Sequence, residues 1–138
     1  MDFSEFASDD AAMQFAIEEA QRTLPTFFEH YASPRPGQQH FLLKVKFEHD
    51  GAIEHIWIAD IDPSVSPLEG TIANEPSIGG LQYLDRVTFQ PDQITDWMII
   101  ENGSMVGGFT SQVAISRMSD AQRREYLASL PYRVPGYE

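Results

Sequence analysis

The sequence predicts a single α+β domain with an N-terminal helix, a five- to six-stranded antiparallel sheet, curved or rolled into a partly open barrel, and a C-terminal helix. Three observations predict it. Apolar residues step by three or four through 13–31, alternate by two along several short segments, and return to helical spacing after residue 119. Asp50-Gly51 and Asn102-Gly103 each lie between alternating runs, where a two-residue hairpin turn demands positive φ. The strand segments are joined by short connections, which suit an antiparallel meander with helices on one side.

Each element follows from local chemistry. Asp9 and Asp10 can cap free N–H groups at the start of a helix whose stripe is Met13, Ile17, Ala20, Leu24, Phe28 and Tyr31. Pro25 either ends this helix near Thr23 or kinks it so that it resumes through Phe27 and Phe28. Ser33-Pro34-Arg35-Pro36-Gly37 is a loop by composition. Phe41, Leu43, Val45 and Phe47 alternate with Leu42, Lys44 and Lys46, the period of a half-buried strand. The return strand 53–61 places Ile53, His55, Trp57, Ala59 and Ile61 on one face and Glu54, Ile56, Ile58 and Asp60 on the other. Bulk on both faces marks an interior strand, or one covered by the N-terminal helix on its outer side. Short strands follow over 68–73 and 86–89, separated by the breaker-rich stretch 74–80. A second hairpin, 93–101 with 104–106, turns at Asn102-Gly103. Thr110 suits the cap of a helical turn through Val113, Ala114 and Ile115. Ser119-Asp120 caps a last helix over 121–130, with Tyr126, Leu127 and Leu130 facing inward.

Composition bounds the class. With 138 residues, 42% hydrophobic and 12% aromatic, residues 1–138 form one domain, its core about 11–130 between short irregular termini. No apolar run approaches the roughly 18 residues of a membrane span, and the acidic start (Met1-Asp2-Phe3-Ser4-Glu5) is unlike a secretory signal. Zero cysteines exclude disulfides, thiol catalysis and thiolate zinc sites. The expectation is a soluble cytoplasmic protein, a monomer or weak dimer. The formal charge of −12 repels phosphate backbones and attracts a basic partner.

Few residues point to chemistry. His30, His40, His49 and His55 lack metal-ligand spacing, so no metal or other cofactor is expected. Among the carboxylates, Asp96 beside Trp97 is the best candidate for a perturbed acid; read structurally, it accepts hydrogen bonds from turn N–H groups around 91–94 and fixes a corner. Gly107-Gly108 with Thr110 before a helix offers an anion cradle, although such glycines more commonly let backbones approach. Trp57 reads as core, and Trp97 as the more exposed of the two tryptophans. The N-terminal stretch, with Asp9, Asp10, Glu18, Glu19 and Glu29 against Arg22, is the most plausible electrostatic docking surface.

A series of separated motifs carries a family resemblance. It comprises Ala20-Gln21-Arg22-Thr23-Leu24-Pro25 with Phe27 and Phe28, then 41–47, Glu54-His55-Ile56-Trp57-Ile58, and Gly70-Thr71-Ile72-Ala73-Asn74-Glu75-Pro76. It closes with Ile94-Thr95-Asp96-Trp97-Met98 and Gly107-Gly108-Phe109-Thr110. Over residues 11–130 the chain resembles the YegJ-like bacterial proteins, domain of unknown function 2314. The resemblance implies a compact bacterial domain, alone or beside other small domains, some relatives lying near secreted-toxin genes. It transfers no catalytic residues.

The expected function is therefore a non-catalytic protein-binding module, most concretely an immunity-type antidote that neutralises a basic toxin through an acidic surface. The alternative is a small enzyme or ligand-binding barrel with a pocket near Trp57, His55, Asp96 and Trp97.

Overall fold

The computed structural model describes residues 10–138. Helix α1 (Ala11–Ala32) leads into strands β1 (Gln38–His49), β2 (Ala52–Asp62), β3 (Leu68–Ile72) and β4 (Arg86–Phe89). A 3₁₀ turn at Pro91–Gln93 precedes β5 (Ile94–Glu101) and β6 (Ser104–Gly107), then helices α2 (Phe109–Ser116) and α3 (Asp120–Ser129). All six strands form one antiparallel sheet in the order β4-β3-β2-β1-β5-β6, open rather than closed into a barrel. The first four strands meander, and β5 then returns to the other side of β1.

Both expected hairpin turns are present. Asp50 and Gly51 have φ of 50° and 80°, and Asn102 and Gly103 have 51° and 80°, the geometry of two-residue turns that match strand twist. Bulges curl the sheet. Asp60 takes φ 48° where the β2–β3 register slips, and the β1–β5 register slips beside His40 and again between Lys44 and Val45. The slip at Asp60 corrects the expected facing of β2: Ile61 shares the buried face of Ile56 and Ile58, because one extra residue inverts the alternation. Curling also explains how residues 90–93 carry the chain from β4 to β5. On a flat sheet that crossing is roughly 19 Å, at ~4.8 Å per strand, close to the full reach of the link, part of which is spent in the 3₁₀ turn.

The two faces carry separate cores. Against α1 lie Leu43, Val45, Ile56, Ile58, Trp97 and Ile99 with Ala20 and Phe27. On the other face Met98, Ile100 and Met105 pack with Ile115 and Val134, joined by Leu127 and Leu130. The helices thus cover both faces rather than one as expected, α2 bridging the cores through Phe109 and Ile115. Leu127 and Leu130 face inward, but Tyr126 is exposed.

Helix α1 runs through Pro25 without ending at Thr23. A proline inside a helix costs about 3 kcal/mol, and the packing beyond it offsets that. Phe27 is fully buried, its ring 5.3 Å from Phe28, 5.7 Å from Tyr31, 6.0 Å from Phe41 and 6.1 Å from Trp97. Asp10 caps the helix as expected, accepting from the Met13 N–H at 3.1 Å. Asp9 lies outside the described residues.

Candidate functional site

The only buried polar side chains among the described residues are Lys44, Thr95, Asp96 and Thr110. They come together where β1 and β5 meet the start of α2. Lys44 pairs across the ladders with Trp57 on one side and Asp96 on the other, so the three side chains form one row. The Lys44 ammonium lies 4.7 Å from the centre of the Trp57 ring, a cation–π contact, and donates to Thr110 Oγ1 at 2.9 Å. Asp96 is 0% exposed, Lys44 4% and Thr110 3%.

Asp96 accepts four hydrogen bonds. The N–H groups of Trp97 and Phe109 donate to Oδ1 at 2.8 and 3.0 Å; the Thr110 N–H and hydroxyl donate to Oδ2 at 2.9 and 2.6 Å. It accepts backbone N–H groups as the structural reading expected, but the donors differ from the turn groups expected at 91–94. The carboxylate reaches fourteen residues along the chain and caps α2, whose own N-cap residue, Gly108, has no side chain to do so. Thr110 is accordingly not the cap; it sits inside the first turn and links Asp96 to Lys44. Burial pushes the Lys44 ammonium down to about 8, against the pull of Asp96. It pushes the Asp96 carboxyl up, against the pull of Lys44 and of its hydrogen-bond donors.

The double glycine serves close approach. Gly107 has φ 80°, and a Cβ there would stand 2.5 Å from the Trp97 carbonyl oxygen; the Gly108 N–H donates to that same oxygen at 2.7 Å. The anion cradle expected at Gly107, Gly108 and Thr110 is therefore filled from within, with Asp96 as its anion.

The two tryptophans exchange their expected roles. Trp97 is buried under α1, its indole N–H donating to Thr23 Oγ1 at 2.9 Å. Trp57 is half-buried on the opposite face. His55 shares that face, its Nδ1 3.0 Å from Thr95 Oγ1. Trp57, His55 and Asp96 are thus neighbours, whereas Trp97 points the other way.

Of the acidic helix face, Asp10 is held down at about 2 by the Arg117 guanidinium and the Met13 N–H, and Glu19 pairs with Arg22 at 2.6 Å. Glu18 and Glu29 are exposed beside them. No group of three or more His, Asp or Glu side chains among the described residues is arranged to hold a metal ion, and no described helix is long and apolar enough to cross a membrane. Lys44 is the residue that sequence reasoning missed. Its one signal was a cation on the same strand face as Leu42, and nothing local marks that face as covered.

Residues 10–132 match the family described as an uncharacterised protein conserved in bacteria, DUF2314. The chain belongs to that family. Two similar proteins illustrate its range. A Neisseria meningitidis serogroup B protein named as an ankyrin repeat protein is 34% identical over 93 residues, covering 64% of this chain and 37% of that protein. The uncharacterised protein YegJ of Escherichia coli K12 is 28% identical over 103 residues, covering 74% of this chain and 66% of YegJ. The DUF2314 chain thus spans just over a third of the first relative and under two thirds of the second. No solved structure matches it. The match takes in every residue of the Lys44–Asp96–Thr110 cluster.

Proposed function

We propose that this DUF2314 protein is a non-catalytic bacterial protein-binding module, an immunity-type antidote that occupies a basic toxin domain through an acidic surface and acts in the cytoplasm. The carrying observation is the separation of interior from exterior. Asp96, Lys44 and Thr110, the polar groups with the strongest chemical potential, are buried and bonded to one another and to the start of α2. The buried Lys44 and Asp96 offset one another in charge, so the net acidity of the chain, −12, comes from outside this cluster. A field of that size speeds encounter with a cation-rich partner and repels nucleic acid.

The test is calorimetry and co-purification with the product of the gene adjacent to this one. A complex tighter than about 1 μM, weakening steeply as salt rises, is the expected result. No complex at micromolar concentration, or one indifferent to salt, refutes the reading.

A further inference from the structure

We propose that the open edge of the sheet at β4 takes up an extended, lysine- and arginine-rich segment of the partner as an added strand. The inference deepens the antidote reading and takes its basic partner from it.

The two edges of the sheet differ. Beside β6, the Met105 N–H donates to the Arg133 carbonyl at 2.9 Å and the Arg133 N–H to the Gly103 carbonyl at 2.8 Å, so the C-terminal segment covers that edge. On its outer side β4 pairs with no strand among the described residues. Natural sheets commonly guard such an edge with a charge pointing along it. Here the Arg86 guanidinium turns back onto the Asp60 carbonyl and, at 3.1 Å, onto Thr71 Oγ1.

The residues entering β4 are strained and displayed. Gln82–Asp85 is a turn closed by the Asp85 N–H to the Gln82 carbonyl at 3.0 Å. The Leu84 N–H donates to the Ile72 carbonyl at 3.0 Å and the Ile72 N–H to the Asp85 carbonyl at 2.9 Å, so two residues oppose one. Leu84 has φ 74°, the position such a bulge normally gives to glycine. Its side chain gains little from burial within the chain, being 64% exposed next to Tyr83 at 51%. A leucine held left-handed in the open is a feature that local folding does not require.

At the other end of β4, Phe28, Tyr31, Ala32, Pro63, Leu68 and Pro91 line an apolar cleft. β4 itself offers about 13 Å of extended edge, four residues at ~3.3 Å each, bracketed by the bulge at Leu84 and the turn at Pro91. Asp85 and Asp92 flank β4, and Glu69 lies on β3 opposite Thr88; Asp60 and Asp62 sit one strand further in, on β2, where the Arg86 guanidinium turns inward. Main-chain hydrogen bonds to β4 would supply affinity, the cleft and the Tyr83–Leu84 pair would hold apolar side chains, and the carboxylates would select lysine and arginine.

The test uses the full chain and a fluorescent octapeptide of alternating valine and lysine, with a glutamate-for-lysine version and a proline-interrupted version as controls. Anisotropy should show binding by the first peptide alone, and amide resonances of Arg86, Val87 and Thr88 should move on titration. Leu84→Gly should weaken binding by about tenfold or more while the melting temperature holds or rises, because glycine suits the backbone there. Binding unchanged in L84G, resonance shifts confined to α1 or β6, or no binding at about 1 mM peptide overturns the proposal. So does sedimentation showing a dimer of this chain that L84G dissociates, which would assign the edge to a second copy. The peptide carries no toxin sequence. Its failure removes the β4 dock and leaves the antidote reading standing, whereas failure to find a toxin with peptide binding intact does the reverse.

Discussion

Replacing Asp96 by alanine should be among the most damaging single substitutions in this chain. The change removes the acceptor of three backbone N–H groups and one hydroxyl, all buried except the partly buried Phe109 N–H. It also leaves the Lys44 ammonium, 4% exposed, beside an apolar methyl group. Breaking a buried charged pair from one side costs about 3–5 kcal/mol, most of it the penalty of the charge left behind. Lost caps add to this and relaxation subtracts, so about 4 kcal/mol is a fair centre. For 138 residues the unfolding entropy is about 0.29 kcal/mol/K, so Asp96→Ala should lower Tm by roughly 14 °C. Urea denaturation of wild type, D96A, K44M and D96A/K44M separates the parts. If the charge left behind dominates, removing it in D96A/K44M recovers about 1–3 kcal/mol relative to additivity. A D96A loss below about 1 kcal/mol, or strictly additive single variants, would refute the reasoning and return Asp96 to the list of functional acids.

Lys44 is a base whose folded pKa, about 8, lies below its ordinary 10.5, so between those values the unfolded chain holds the extra proton and stability rises with pH. The difference between wild type and Lys44→Met, followed by urea midpoints from pH 7 to 10.5, should therefore shift in favour of wild type as pH rises. Asp10 should titrate near 2 by carboxyl NMR and return toward 3.8 in Arg117→Ala; an unchanged midpoint would dissolve the Asp10–Arg117 bridge. Its contribution to stability is present above pH 3.8 and disappears as pH falls through about 2. Gly107→Ala must place a Cβ 2.5 Å from a carbonyl oxygen at φ 80°, and should cost about 3 kcal/mol, or roughly 10 °C in Tm. In Trp57→Phe the remaining Trp97 should emit blue and resist acrylamide, while in Trp97→Phe the half-buried Trp57 should quench more readily.

What was legible in the chain was whatever depends on neighbours in sequence. Asp50-Gly51 and Asn102-Gly103 announce their turns because the positive φ they adopt is a property of those residues. Residues 41–47 announce a strand because the alternation lies within a single run. Reading failed wherever one extra residue changes a face. Ile61 lies with Ile58 because Asp60 bulges. A bulge at a non-glycine residue leaves no compositional mark, so the periodicity passes through it undisturbed.

The site failed to be legible for a different reason. Asp96 was conspicuous as an acid beside a tryptophan, and its structural role could be anticipated, but its partners could not. They stand at 44 and 97 and at 109–110, brought together by strand register and by the place where β6 stops. Once Gly107 and Gly108 have folded against Trp97, the first N–H groups of α2 point at the row Trp57–Lys44–Asp96, and a carboxylate there completes a helix that has no cap of its own. The Asp-Trp pair and the double glycine are thus two ends of one device, joining the last hairpin to α2. Among the described residues, the sheet edge that no further segment pairs with is β4, and that is where the proposed dock is placed.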